Sequence, residues 1–244
     1  MVLKDSQTKM TRVGIVDTGI LDGFDFNIVG GHNFTLDLTG RNNISSNLYH
    51  GTMVASIITD IAPNVELVIA KMLNEKGVGD PLKASEAIRY CISQGCDIIN
   101  CSIAGGGDKH LAEVIEEAYS KNIMVVAATG NDGKEKLLYP ASYYHCISVG
   151  SINKSYELSS FSNYNALMDL VAIGEDITAC GITDSGTSFS APVVTGALVL
   201  LKEKLGNPTW EELYKELIDN CLTINGLEKI KQGNGYINIE GVIK

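Results

Sequence analysis

Three side chains of complementary chemistry lie far apart in this sequence. Asp17, His50 and Ser188 each fall at the predicted end of a strand or start of a helix. A serine hydroxyl becomes a strong nucleophile when a neutral imidazole removes its proton, and a carboxylate can hold that imidazole in the required tautomer. The three residue types therefore indicate acyl transfer, with Ser188 as nucleophile, His50 as base and Asp17 as the orienting group.

The segment from Gly186 to Lys204, GTSFSAPVVTGALVLLKEK, organises the rest of the chain. Its apolar residues recur at helical spacing, which predicts a helix buried on nearly all sides with Ser188 at its beginning. Pro192 is expected in the first turn, where a missing N–H costs little. Unpaired backbone N–H groups at such a helix start favour a developing anion. The alternative is that Ser188 or Thr187 merely caps the helix.

An oxyanion needs a hydrogen-bond donor, and Asn131 is the candidate. It follows the apolar run VVAATG, which predicts a buried strand ending just before it. An amide aimed at the carbonyl oxygen would stabilise the charge that develops there. The alternative interpretation is an ordinary turn asparagine.

Apolar strands alternate with amphipathic helices along most of the chain. Strands are predicted at 12–17, 66–72, 97–101, 123–128, 146–151 and 169–172, with a shorter one near 177–180. Helices are predicted from 50 to just before 63 and at 82–94, 111–121, 186–204 and 210–221, whereas 21–48 is expected to be mainly loop. This pattern predicts a single doubly wound α/β domain over 12–244, with a mostly parallel sheet, helices on both faces and a short extension at 1–11.

Composition excludes several classes of function. The 244 residues carry a net charge of −10, which argues against nucleic-acid binding. We expect no membrane span, because no apolar run reaches about 18 residues, and the N-terminus lacks the apolar core of a signal peptide. Six scattered cysteines indicate reduced thiols, so a cytoplasmic location is expected. The oligomeric state is left open.

The segments VDTGI, HGTMVAS, AATGND and GTSFSAP occur in that order. Together they resemble the signature segments of the subtilisin-like serine proteases (subtilases, peptidase family S8), and the similarity extends over about residues 12–240. The resemblance implies a serine endopeptidase acting on an extended peptide, with Asp17, His50 and Ser188 as the triad and Asn131 as oxyanion donor. It implies no cofactor and, because the region after the His50 helix is short and lacks the family's calcium loop, no metal.

The resemblance also implies a substrate groove. One edge would pair with the peptide like an added strand, and one wall would flank the residue before the scissile bond. The edge corresponds to Ser102, Ile103, Ala104 and Gly105, and the wall to Ala128, Thr129 and Gly130. Leu138 and Tyr139 fall near the floor, where a bulky Leu138 would limit the depth of the pocket. Asp132 and Glu135 could attract a cation at its rim. The sequence leaves open whether the enzyme prefers a small, an apolar or a basic residue before the scissile bond.

Parts of this sequence are also compatible with other functions. Asp17 and Asp184 both occur in Asp-Thr/Ser-Gly sequences, as in aspartic proteases, but that fold is almost entirely β. A catalytically silent peptide-binding protein would keep the same fold, and a transpeptidase or macrocyclase would use the same acyl-enzyme. The short N-terminus leads us to expect no inhibitory propeptide. Together with the reduced size, it favours an intracellular enzyme that processes a dedicated precursor peptide over general protein turnover.

Overall fold

A computed structural model describes residues 10–35, 40 and 42–243 of the chain. Of the predicted extension at 1–11, only Met10 and Thr11 lie inside the described residues. The strands are β1 (Arg12–Asp17), β2 (Ile28–Asn33), β3 (Glu66–Lys71), β4 (Ile98–Cys101), β5 (Met124–Ala128), β6 (Cys146–Ile152), β7 (Leu170–Ile173), β8 (Ile177–Ala179), β9 (Ile182–Asp184), β10 (Cys221–Leu222) and β11 (Tyr236–Ile237). The helices are α1 (His50–Ile61), α2 (Pro81–Ser93), α3 (Lys109–Ser120), α4 (Thr187–Leu205), α5 (Trp210–Asp219), α6 (Lys229–Gln232) and α7 (Ile239–Ile243).

Nine of these strands form one twisted sheet in the order β10-β11-β7-β6-β5-β4-β1-β3-β2. Neighbouring strands run parallel except β10, which is antiparallel to β11. The register pairs Ile15 with Asn100 and Asn100 with Val126. Two residues further on, Asp17, Ser102 and Ala128 therefore reach the same carboxyl edge of the sheet, where ligands bind in open α/β sheets.

Successive side chains of each strand point to opposite faces of the sheet, and helices cover both faces. Val13 and Ile15 pack with α1, α4 and α5 on one face. Val16 packs with α2 and α3 on the other. This two-sided burial explains why the strands read as continuous apolar runs, and the doubly wound α/β fold predicted from the sequence is confirmed.

Helix α4 runs through the centre of the first layer and packs against β4, β5, β6 and β7 as well as α1 and α5. Its N-cap is Gly186, and no side chain caps it. Capping by Ser188 or Thr187 is therefore wrong. Pro192 lies inside the helix and not in its first turn, because α4 already begins at Thr187.

Two further local expectations change. The short strand expected near 177–180 is the first half of an antiparallel hairpin, β8–β9. The stretch 21–48 contributes β2 to the edge of the sheet. All six cysteines are free thiols. None of the helices in the described part of the chain is long and apolar enough to cross a bilayer.

The crossing of α1 and α4 gives a stability prediction. A methyl group on Gly196 would lie 2.8 Å from Cβ and 2.9 Å from Cγ2 of Ile61. Alanine favours a helix over glycine by about 1 kcal/mol, yet overpacking costs about 1–3 kcal/mol. We therefore expect Gly196→Ala to lower the free energy of unfolding in urea denaturation.

The matching test uses Ile61→Ala, which removes Cγ1, Cγ2 and Cδ1 and leaves the Cβ in place. Its cost should be smaller in the Gly196→Ala background than in the parent protein, because part of the crowding is relieved. A Gly196→Ala protein more stable than the parent would mean that the helices do not approach this closely.

Candidate active site

Asp17 and His50 form a hydrogen-bonded pair at the carboxyl edge of the sheet. Asp17 ends β1 and is fully buried, whereas His50 begins α1. Nδ1 of His50 lies 2.8 Å from Oδ1 and 3.0 Å from Oδ2 of Asp17. Because a carboxylate only accepts hydrogen bonds, Nδ1 must carry a proton and donate it. The neutral imidazole then presents its Nε2 lone pair, which is what a general base requires.

The backbone around this pair leaves no room for larger residues. Gly51 donates its N–H to the Thr18 hydroxyl over 3.0 Å. A Cβ at Gly51 would lie 2.2 Å from the carbonyl oxygen of Gly19 and 3.3 Å from Oδ1 of Asp17. A glycine after His50 therefore lets the start of α1 approach the end of β1 closely enough for the carboxylate to reach the imidazole.

Opposing effects set the pKa of His50. Burial lowers the pKa of the imidazole, but the charge and hydrogen bond of Asp17, together with the charge of Asp184, raise it more. The net result is a pKa above the ordinary value of 6.5. Asp184 accepts a hydrogen bond of 3.0 Å from the hydroxyl of Tyr49, the residue before His50. The sequence alone assigned no role to Tyr49.

Ser188 lies beside this pair. It is the second residue of α4, and the ring of its neighbour Phe189 lies 5.3 Å from the His50 ring. Ser188 and His50 line the same groove. Among the described residues, the Ser188 hydroxyl makes no hydrogen bond, so it is free to meet a partner in that groove. Asp17 and His50 are thus in direct contact, and Ser188 shares their groove.

The carbonyl of Ser188 is held by a buried polar network. In a regular helix it would accept the N–H of residue 192, but Pro192 has none. The hydroxyl of Ser102 donates to it instead, over 2.6 Å. Asn100 Nδ2 donates to the Ser102 oxygen over 2.8 Å, and the Thr195 hydroxyl donates to Asn100 Oδ1 over 2.9 Å. This network joins the end of β4 to the first turns of α4.

Asn131 is oriented by Thr187. Its Oδ1 accepts the backbone N–H of Thr187 at 3.0 Å and the Thr187 hydroxyl at 2.8 Å. Because a backbone N–H can only donate, this contact settles which amide atom is oxygen. Nδ2 makes no hydrogen bond to the described residues, and Asn131 lines the groove. The same hydroxyl accepts the N–H of Gly130 over 3.2 Å, a positioning role for Thr187 that the motif itself did not indicate.

The groove around these residues has a volume of about 630 Å³. Its lining includes Ser102, Ile103, Ala104 and Gly105. Gly105 is already paired, because it exchanges hydrogen bonds of 2.9 and 3.0 Å with the backbone of Tyr139. The peptide groups of Ile103 and Ala104 make no hydrogen bond to described residues. The backbone available to an added strand is therefore shorter than expected.

The opposite wall differs from the expectation. The groove is not lined by Ala128, Thr129 or Gly130. Leu138 lines the groove and packs against Gly130, since a Cβ on Gly130 would lie 2.7 Å from Cδ1 of Leu138. Leu138 is fixed there because its N–H donates to the Thr129 carbonyl over 3.0 Å.

The negative charge expected from Asp132 at the rim of the groove is partly neutralised. Asp132 forms a 2.6 Å ion pair with Lys136, whose hydrogen bond lowers the pKa of the Asp132 carboxyl. The expectation that Asp132 attracts a substrate cation is therefore not favoured by this geometry.

Comparison with known proteins gives a consistent result. Residues 8–236 match the subtilase family, Peptidase_S8. The chain is 37% identical to an intracellular serine protease of Paenibacillus polymyxa, over 99% of this chain and 82% of that protein. It is 36% identical to the major intracellular serine protease of Bacillus subtilis, over 97% of this chain and 83% of that protein.

Two solved structures are also similar. The prenylagaramide maturation protease PagA is 28% identical with a TM-score of 0.81, over 96% of this chain and 92% of that one. A lanthipeptide protease shares the fold at 22% identity, with a TM-score of 0.83 over 96% of this chain and 86% of that one. The aspartic protease alternative is wrong, since the matching family uses a serine and the fold is α/β.

The opposing effects on His50 predict its titration. Replacing Asp17 by Asn removes the charge that offsets burial, so the pKa of His50 should fall from above 6.5 to below it. Asp184→Asn should lower it by less. NMR titration of the imidazole C–H signals measures both changes, with the signals of His32, His110 and His145 as internal references. An unchanged His50 pKa in Asp17→Asn would contradict the pairing.

Proposed function

Since the chain belongs to the subtilase family of serine endopeptidases, we propose that it cleaves peptide bonds with Ser188, His50 and Asp17. One observation carries this proposal: a buried carboxylate holds Nδ1 of His50 in a groove that Ser188, half-buried and with its hydroxyl unpaired among the described residues, also lines. Family membership adds that serine protease chemistry occurs on this fold. The proposal assigns the three roles to numbered residues of this chain.

In the first half of the reaction, Nε2 of His50 takes the proton of Ser188 as its Oγ bonds to the substrate carbonyl carbon. Asp17 offsets the positive charge of the resulting imidazolium. The imidazolium then protonates the leaving amine as the C–N bond breaks. Water repeats the sequence on the acyl-enzyme and releases the acid, which restores Ser188.

The oxyanion would receive two donors. One is Nδ2 of Asn131, a residue that lines the groove and whose Oδ1 is held by Thr187. The other is the backbone N–H of Ser188, which has no intrahelical partner in the first turn of α4. Loss of one side-chain donor of this kind lowers kcat by about 10²–10³-fold, a magnitude known from subtilisin, itself a member of this family.

We infer further that the enzyme processes a dedicated precursor peptide inside the cell. The two bacterial relatives named above are described as intracellular serine proteases. PagA, at 28% identity, is described as a maturation protease. Leu138 supports a narrow choice of substrate, because its side chain covers Gly130 and leaves little depth for the residue before the scissile bond. A small residue, glycine or alanine, fits that space.

Labelling with a fluorophosphonate probe tests the nucleophile. Ser188→Ala should abolish both covalent labelling and peptide hydrolysis, because no other group in the mechanism can form the ester. Ser185→Ala is the matched control, since its hydroxyl lies three residues away and accepts the N–H of Asp176. Labelling that persists in Ser188→Ala would reject the assignment, and a parent protein that never labels would indicate a silent peptide-binding protein.

Peptides that differ only before the scissile bond test the role of Leu138. The parent enzyme should cleave an alanine peptide with a kcat/KM at least about tenfold above that of its phenylalanine counterpart. Leu138→Ala should reverse or abolish that preference. Val78→Ala, an exposed apolar residue of the same groove, should leave the ratio unchanged. A parent enzyme that prefers phenylalanine would refute the assignment.

A further inference from the structure

A second pocket, of about 470 Å³, lies away from the groove. It is bordered by the beginning of β6 and the beginning of α5, so it opens at the amino edge of the sheet and not at the carboxyl edge. The chain segment 137–145 separates the two sites and contributes to both, with Leu138 in the groove and Leu137 in this pocket. No residue of the proposed mechanism lines it.

Two large apolar side chains at the rim of this pocket are highly exposed to solvent. Tyr144 is 89% exposed and Leu167 is 80% exposed, and both line this pocket. They are the most exposed large apolar side chains in the described part of the chain. Single exposed apolar residues are common, but two of this size at the rim of one pocket indicate a surface that meets a partner.

The interior is aromatic. Trp210 and Tyr214 stack with ring centroids 5.0 Å apart, and Tyr119 stacks on His145 at 3.5 Å. Trp210 meets the Tyr119 ring edge to face at 5.4 Å. Aromatic faces carry partial negative charge, so they attract a cation, and a guanidinium can also stack on them.

Two carboxylates border the pocket. Asp169 and Glu211 line it together with His145, whose Nδ1 lies 2.9 Å from Glu116, and none of the described lysines or arginines does. Asp169 accepts the Tyr214 hydroxyl over 2.6 Å and the Ser148 hydroxyl over 2.7 Å. Burial raises the pKa of this carboxyl, so a cation nearby would stabilise its charged form. The net charge of −10 attracts basic segments over a longer range.

We infer that this pocket binds an arginine side chain of a peptide, in a segment of the substrate away from the scissile bond. The aliphatic stem would lie on Tyr144 and Leu167, and the guanidinium would reach the aromatic faces and the two carboxylates. Binding itself does not depend on catalysis; only the identification of the peptide as substrate rests on the proposed function.

Trp210 is the single tryptophan of the chain, so its fluorescence reports directly on the pocket. The Ser188→Ala protein is titrated with acetyl-Ala-Arg-Ala-amide and with the same peptide containing citrulline, which keeps the shape of arginine without its charge. We expect saturable binding, at least about tenfold tighter for arginine. Isothermal titration calorimetry measures the same affinities independently of the fluorescence.

Variants locate the site. Tyr144→Ala, which removes an exposed side chain, should weaken arginine-peptide binding at least about fivefold while a short peptide is still cleaved at the parent rate in the Ser188 enzyme. Glu211→Gln should weaken binding of the arginine peptide and leave that of the citrulline peptide unchanged. Tyr156→Ala is the matched control, an exposed tyrosine outside the pocket, and should bind as the parent does.

Equal affinity for both peptides would overturn the assignment of a cation. Absence of saturable binding by either method, or binding that Tyr144→Ala leaves intact, would overturn the site. Circular dichroism of Tyr144→Ala shows whether the fold is preserved. Fluorophosphonate labelling is read separately, so a failed protease assignment and a failed arginine site are distinguishable.

Discussion

The hydrogen bond between Asp17 and His50 is the contact on which the candidate site depends. A fully buried carboxylate is costly unless it is paired. Here the imidazole and the N–H of Thr18, at 2.6 Å, stabilise it. The same contact fixes the imidazole tautomer. The contact with His50 therefore both helps to stabilise the buried charge and leaves Nε2 available as a base.

The fold meets this requirement by bringing three segments to one edge of a parallel sheet. β1 ends in Asp17, α1 begins with His50, and α4 begins just before Ser188. Pro192 leaves the Ser188 carbonyl without its helical donor, and Ser102 supplies one from the end of β4. The beginning of α4 is thus tied to the strand that forms one side of the groove, and Thr187 ties it to the loop of Asn131 on the other.

The groove at the carboxyl edge and the pocket at the amino edge of the sheet offer different kinds of contact to a peptide. At the groove, Leu138 and the Gly105–Tyr139 pairing remove space and backbone donors, which restricts what can lie at the scissile bond. At the opposite edge, exposed aromatic and aliphatic side chains offer additional contact area. Under the proposed function, a small residue at the cleavage point would provide little binding energy, and contacts made elsewhere along the peptide would add to it.

The sequence by itself determined the fold class, the order of most elements and the positions of the four chemically suggestive residues. Apolar periodicity and helix boundaries are local properties, and short motifs such as HGT and GTS keep their meaning without knowledge of distant segments. Only the tertiary structure decided that Leu138 lines the groove where Ala128, Thr129 and Gly130 were expected. It also decided that the backbone of Gly105 is already hydrogen-bonded, and that Tyr144 and Trp210 border one pocket. Each of these features is a contact between segments that are far apart in the sequence. Local sequence patterns do not reveal such contacts, because the packing of the whole domain decides which distant side chains meet.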